Sequence, residues 1–447
     1  MNNVNIVHAI GTGGPLYESL GATFERIEHL FNIKGIQHTS DNLKKLKNQE
    51  IDLGGIEEKV ANMLSSHLAT YNDTWTKIEE MLQRILPKEF RERKLDSYGN
   101  GWVFNWHCSD HVGFEINPRR RDMGYHNIFD YYKESINKFD IDGNTIQFLF
   151  HPMSTYKEAH RCATSYINSP ELYQILCRRI IERQWFPSAY KAGCQAERPD
   201  SHWFLEQWIP FDISSMAIEN YQELDAMTDF KNGRSGDWRL APSDWSVYHP
   251  DHDNYQKKGN CRRWIGRALN VLNRIASINQ EEMDKAFEAA SYGKPVLVGI
   301  ASHDFRDLQT EVEYVQGLMD KASKKYPEVP FKYCSTLEGF REVIDEDYKK
   351  IKPLELEVKL NKSPKNDVPN LSIKTIQGKV FGPQPFLAIE TVSKRFIHDN
   401  LDFSMEGDNW NYAFHGDTLP LSDVKNIGIA ANDKVGNNFV KVIKVNE

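Results

Sequence analysis

Over its first three-quarters the chain alternates short apolar or aromatic runs with stretches of helical periodicity. This restricts it to folds in which a mainly parallel sheet is covered by helices. The candidate strands are 5–10, 102–107, 145–150, 207–211, 295–300 and 331–334. Between the first two, Leu20, Phe24, Ile27 and Phe31 recur at helical spacing and predict a helix laid on the core. Residues 39–94 are charged and helical in pattern, too long for a connection between strands of a compact barrel, and are expected to form an inserted cap. Past Ile351-Lys352-Pro353 the pattern changes. Segments 354–358, 371–374, 386–392 and 439–445 alternate like strands between turn residues, which predicts a β-sandwich domain over 354–447 appended to an α/β domain over 1–350.

A net charge of −8 argues against a general electrostatic grip on nucleic acid or on an anionic membrane, and Arg119-Arg120-Arg121 is expected to be a solvated turn. No window reaches the length needed to span a bilayer and the amino terminus lacks an export signal, so a cytoplasmic address is expected. The six cysteines form no CxxC pair, which suits reduced thiols; Cys108 and Cys194 fall near the segments of interest and are expected to be buried.

Chemistry is suggested by where the histidines fall. His151 closes the run 146–150, His160 follows in the next segment, and His303 ends the run 295–300; strand ends are where barrel enzymes assemble sites. The run His107-Cys108-Ser109-Asp110-His111, Asp212 and Asp244 fall at comparable places. Two imidazoles and a carboxylate with one position left for water is the usual hydrolytic metal arrangement, and Asp110, His151 and His160 are the expected ligands.

Taken together, 5–347 resembles the polysaccharide deacetylase (NodB-type) family, which implies a distorted (β/α)7-type barrel, a divalent ion (zinc, or nickel, cobalt or manganese) and removal of an N-acyl group from an amino sugar or related polysaccharide precursor. The stretch 185–193 falls where the family carries an arginine-proline-glycine motif, with Lys191 in place of the arginine. Ala241-Pro242-Ser243-Asp244-Trp245 resembles the aspartate-tryptophan motif, and Ile300-Ala301-Ser302-His303 the motif of the catalytic histidine. The resemblance implies that His303 is the general acid, that Asp244 tunes a catalytic partner, and that Lys191 and Trp245 face substrate. The family places acidic residues after the first strand, a general base and a metal ligand; here the chain reads Gly11-Thr12-Gly13-Gly14, and Asp110 is the expected substitute.

That departure keeps a second reading open, an inactive deacetylase-like protein that binds a glycan. Trp185, Tyr190, Trp203, Trp208, Trp245 and Tyr248 supply aromatic faces for sugar rings, or simply fill a core. Arg198 is expected to pair with an anionic group of the substrate or with Glu197 or Asp200. The glycine loop also resembles, weakly, a phosphate cradle. A homo-oligomer is compatible with all of these.

Overall fold

The structure, a computed structural model, describes residues 2–111, 113–121, 126–152, 157–158, 166–219, 236–273, 275–344, 347–362 and 368–445. Seven parallel strands close into a barrel in the order β1 (Val4–Thr12), β2 (Phe104–His111), β3 (Ile146–His151), β4 (Ala189–Ala192), β5 (Phe211–Ser215), β6 (Trp264–Asn270) and β7 (Val296–His303), and β7 pairs back with β1. The helices are α1 (Leu20–Phe31), α2 (Ser40–Lys47), α3 (Glu57–Met63), α4 (Ser66–Ala69), α5 (Trp75–Ile85), α6 (Lys88–Arg91), α7 (Asn127–Lys138), α8 (Glu171–Arg183), α9 (His202–Trp208), α10 (Gln280–Ser291), α11 (Leu308–Lys325) and α12 (Thr336–Ile344). Among the described residues, none is long and apolar enough to cross a membrane.

Small side chains make the barrel interior narrow enough to fill. Val7, Ala9, Ala189, Ile213, Ala268, Leu297 and Ala301 pack with Phe211 and with Leu337 and Phe340 of α12. Phe340 stacks on Phe211 at 4.7 Å, so α12 plugs the end at which the strands begin. A short strand β8 (Phe331–Tyr333) pairs with Val4 to Ile6, ahead of the point where β2 joins β1 at His8. The opposite end, where the strands finish, is left for polar side chains.

The helix predicted from Leu20, Phe24, Ile27 and Phe31 is α1, capped by the Ser19 hydroxyl accepting from the Ala22 N–H and ended by Asn32 in the left-handed region. Helices α2 to α6 lie within 40–91, and Leu46, Val60, Met63 and Leu64 bury against α1. One expected strand differs, and two strands were not expected. Residues 207–208 end α9, and β5 begins only at Phe211; β4 and β6 carry Lys191 and Arg267 mid-strand, which breaks the apolar runs that mark the other strands.

The carboxyl-terminal region forms two four-stranded antiparallel sheets from β9 (Glu355–Asn361), β10 (Asn370–Gln377), β11 (Phe386–Thr391), β12 (Phe396–Asp399), β13 (Asp402–Phe403), β14 (Asn409–Ala413), β15 (Val424–Asn432) and β16 (Asn438–Lys444), ordered β13-β14-β10-β9 and β12-β11-β15-β16. Leu356, Leu371, Ile389, Trp410 and Ile427 share one core between them. The second sheet lies on α8, where Phe386, Ala388 and Ala430 pack with Ile180, Phe204 and Trp208.

Candidate functional site

Strand alternation decides which polar residues face the mouth, because successive side chains point to opposite faces. On β2 the odd positions turn inward: His107 Nε2 lies 3.3 Å from the Thr336 hydroxyl of the plugging helix, and His111 stacks on His151 with ring centroids 4.0 Å apart. Asp110 therefore faces outward. Both its oxygens sit 3.1 Å from Arg179 Nη2 on α8, while Arg179 Nε donates to His126 Nδ1 at 2.9 Å. Burial pushes the Asp110 carboxyl up to about 7, with the charge of Arg179 opposing the rise, and burial draws the guanidinium down. The expectation that Asp110 ligates a metal or serves as base is corrected: it pins a helix to the barrel. His160 lies outside the described residues.

His303 ends β7 at the mouth, stacked on Phe305 at 4.8 Å. A Cβ built on Gly11 would lie 2.9 Å from His303 Nδ1 and 3.2 Å from Leu149, so the glycine makes room for this ring. Burial, then the positive charges of Lys191, Arg121 and Arg306, hold His303 well below its ordinary pKa. The imidazole is thus neutral near pH 7.

Gly13 and Gly14 do not offer their N–H groups to a phosphate. They donate to the two oxygens of Asp304 at 3.0 and 2.9 Å, and the Tyr132 hydroxyl donates to the same carboxylate at 2.9 Å. Burial pushes Asp304 up to about 7 against these hydrogen bonds. Arg121 lies across the loop, with Nη2 where a Cβ of Gly13 would be, at 1.8 Å, and with its guanidinium 5.1 Å from the Phe305 ring centroid. The arginine run is therefore only partly a solvated turn, since Arg119 also pairs with the nearly buried Glu18 at 2.9 Å.

Two further groups complete the mouth. Lys191 on β4 is 2% exposed, and burial draws its ammonium down to about 8. Cys194, just beyond, is half-buried in the left-handed region at φ 53 and ψ 23, and its thiol is hydrogen-bonded with His151. His151 is held below its ordinary range, first by burial, with Cys194 opposing and Arg121 and Lys191 adding to the shift. Sequence reasoning missed His111, Arg121 and this role for Cys194. The signal for His111 was parity, since it is two and four residues from Ser109 and His107 on one strand.

The remaining expected residues lie elsewhere. Trp245 is buried beside the first residues of β6 and β7, its carbonyl accepting from Leu297 N–H and its indole donating to the Glu282 carbonyl. Asp244 next to it is exposed and holds the Ser246 hydroxyl at 2.6 Å. Both are thus at the strand-start end, away from His303. Trp208 fills the core beneath Phe386 at 5.0 Å. Arg198 is half-buried, turned to the Glu197 carbonyl and to Tyr255. Asp212 faces outward to Arg263 and Ser214.

Among the described residues, one group of three metal-capable donors comes within 4.8 Å, namely His202, Glu206 and Cys261. Arg263 meets two of the three donors. Arg263 Nη1 can only donate, and lies 2.6 Å from His202 Nδ1 and 3.0 Å from Glu206 Oε1, so the neutral ring carries its proton on Nε2. Burial keeps the Cys261 thiol up at about 11, a further obstacle to ligation. No protein-family model, no curated protein and no solved structure matches the chain.

Proposed function

We propose that the barrel mouth is the active site of a metal-dependent hydrolase that removes an N-acyl group from an amino sugar or a related polysaccharide precursor. In this reading the barrel is a distorted (β/α)7 unit and the two carboxyl-terminal sheets form a β-sandwich. The observation that carries it is the stacked imidazole pair of His111 and His151, 4.0 Å apart, at the strand ends of a closed parallel barrel that also presents a neutral His303. Two adjacent imidazoles fit a borderline divalent ion, and His111 and His151 are the residues that would hold it. Such an ion, when bound, polarises the acyl carbonyl and acidifies water.

The protein's own groups do the rest. His303 accepts a proton as water attacks and returns it to the departing nitrogen, replacing the acidic base that the Gly11 position lacks. Phe305 and Leu149 fix the ring's surroundings, and Gly11 leaves the space above it. The test is metal content by plasma mass spectrometry on wild type, His111→Ala and His151→Ala, alongside acetate release from N-acetylated sugars by wild type and His303→Ala. Near-stoichiometric metal lost in both variants, with acetate release lost in His303→Ala, is the expected result. No metal after every ion is added back, and no release, would sink the reading.

A second reading, a glycan binder without turnover, is favoured by one observation. The carboxylates near the mouth are spent elsewhere: Asp110 faces outward onto Arg179, and Asp304 is tied to the glycine loop. Saturable binding of an N-acetylated sugar with neither metal nor acetate release would select it.

A further inference from the structure

Burying a cation is costly unless an anion or a set of acceptors meets it, and buried lysines are ordinarily paired. Lys191 breaks this rule. Its side chain is 98% removed from solvent, it projects from β4 into the mouth, and among the described residues no carboxylate, carbonyl or hydroxyl lies within hydrogen-bond reach of its ammonium. Its electrostatic neighbours are the Cys194 thiol and three imidazoles, His107, His151 and His303, each drawn down in part by its charge. Arg121 adds a second positive charge felt by His151 and His303.

The other buried cations of the barrel wall are treated differently. Arg179 meets Asp110, Arg263 meets Glu197, Glu206 and Asp212, and Arg267 meets Glu282. Each of these faces outward into a helix-covered layer. Lys191, alone in this comparison, faces the mouth without a carboxylate, at a place where an incoming ligand can supply one.

We infer that Lys191 is the anchor for an anionic oxygen group on the substrate, so that the molecule bound at the mouth is an N-acylated sugar carrying a phosphate or a carboxylate and not a neutral sugar. The inference rests on the mouth being the substrate site and names the class of substrate it takes. The neutral imidazoles of His107, His151 and His303 add polar partners around the same space without adding charge. An anion bound here would raise the Lys191 ammonium back toward its ordinary range, because a negative charge favours the protonated form.

The test is calorimetric titration, at pH 7, of metal-free and metal-supplemented protein with N-acetylglucosamine, N-acetylglucosamine 1-phosphate, N-acetylmuramic acid and inorganic phosphate. Wild type is expected to bind at least one anionic sugar about tenfold or more tightly than the neutral one, in line with the usual strength of a charge-assisted contact. Lys191→Met should bring the affinities together and Lys191→Arg should keep them apart; the two anionic sugars separate phosphate from carboxylate. Folding of Lys191→Met is checked by its Tm in the absence of ligand, which is expected to rise, since the variant removes an unpaired buried charge.

Equal affinity for charged and neutral sugars, absence of any binding by the anionic probes, or a preference untouched in Lys191→Met would each overturn the inference. Acetate release with no charge preference would leave the hydrolase standing and remove this inference. Charge preference without acetate release would do the reverse.

Discussion

At the scale of single residues, the mouth is shaped by what burial does to Lys191 and by the space Gly11 leaves. Burial lowers the lysine from 10.5 to about 8, so between those values the unfolded chain binds more protons than the folded one. The cost the native state bears at pH 7 is therefore relieved as pH rises through that window. Urea midpoints should show Lys191→Met more stable than wild type at pH 7 and the gap narrowing by pH 10; a gap constant over that range would mean the ammonium is not desolvated. At Gly11 a methyl group would press on His303 Nδ1 from 2.9 Å. Gly11→Ala is expected to lower kcat on the order of 10²-fold through a misplaced ring, with Tm little changed. Unchanged turnover would show that the ring's position does not matter. That His303 reaches the mouth was readable from its place after an apolar run. That Gly11 makes room for it was not, because a missing side chain signals nothing about which neighbour fills its place.

At the scale of elements, charge is used to fasten helices to the outside of the barrel. Asp110 joins β2 to Arg179 of α8, and Arg179 also lies 3.9 Å from the Phe129 ring centroid of α7. Asp110→Ala takes the carboxylate away from that buried guanidinium and should cost about 3–5 kcal/mol. Its metal content per folded molecule should stay that of wild type, while His111→Ala should lose metal with a small change in Tm. The opposite pattern would return Asp110 to the metal site. A second network ties α9 to β5 and β6 through Arg263, Glu197, Glu206 and Asp212. Burial and their mutual proximity push both Glu197 and Asp212 up, Glu197 to about 8, so the pair holds a proton near pH 7. The stabilising contribution of Glu197 is full below the ordinary glutamate range near 4.5 and is lost as pH rises through about 8. Glu197→Gln, which keeps the protonated shape, should flatten the fall in stability between pH 5 and 8 relative to wild type; an unaltered slope would place the proton elsewhere. The strands rich in apolar residues were legible in the sequence. Those carrying Lys191 and Arg267 were not, because a charged residue within a strand reads locally as a loop until its partner, or its site, is known. Asp110 was misplaced for a related reason: residue type favoured it at the mouth, whereas the two-residue period of β2 turns it outward and His111 inward.

At the scale of the molecule, the barrel and the carboxyl-terminal sheets share α8 as a common layer, which bears on how the whole chain unfolds. The helix contributes Arg179 to the barrel side, and Ile180 and Ile181 to the core shared with the sheet that contains β11 and β15. A Cβ on Gly428 of β15 would lie 2.5 Å from Ile180 Cγ2 and 3.1 Å from Ile181 Cγ1, so the helix rests directly on the strand backbone there. The contact continues through polar groups, with the Ser188 hydroxyl donating to Asn432 Oδ1 and the Asn432 amide donating to the carbonyls of Pro187 and Trp208. A change of pattern near Ile351 was legible as the start of another kind of structure, but this mutual burial was not, since it pairs residues 245 and 224 positions apart whose own segments each look complete. Gly428→Val forces the helix off the strand and should cost about 1–3 kcal/mol by overpacking. If the two parts stand or fall together, calorimetry should record one transition moved to lower temperature, and a ligand of the mouth should raise that same transition by mass action. Two resolved transitions, with only the sheet's shifted in the variant, would show instead that the barrel keeps its stability without the layer it shares.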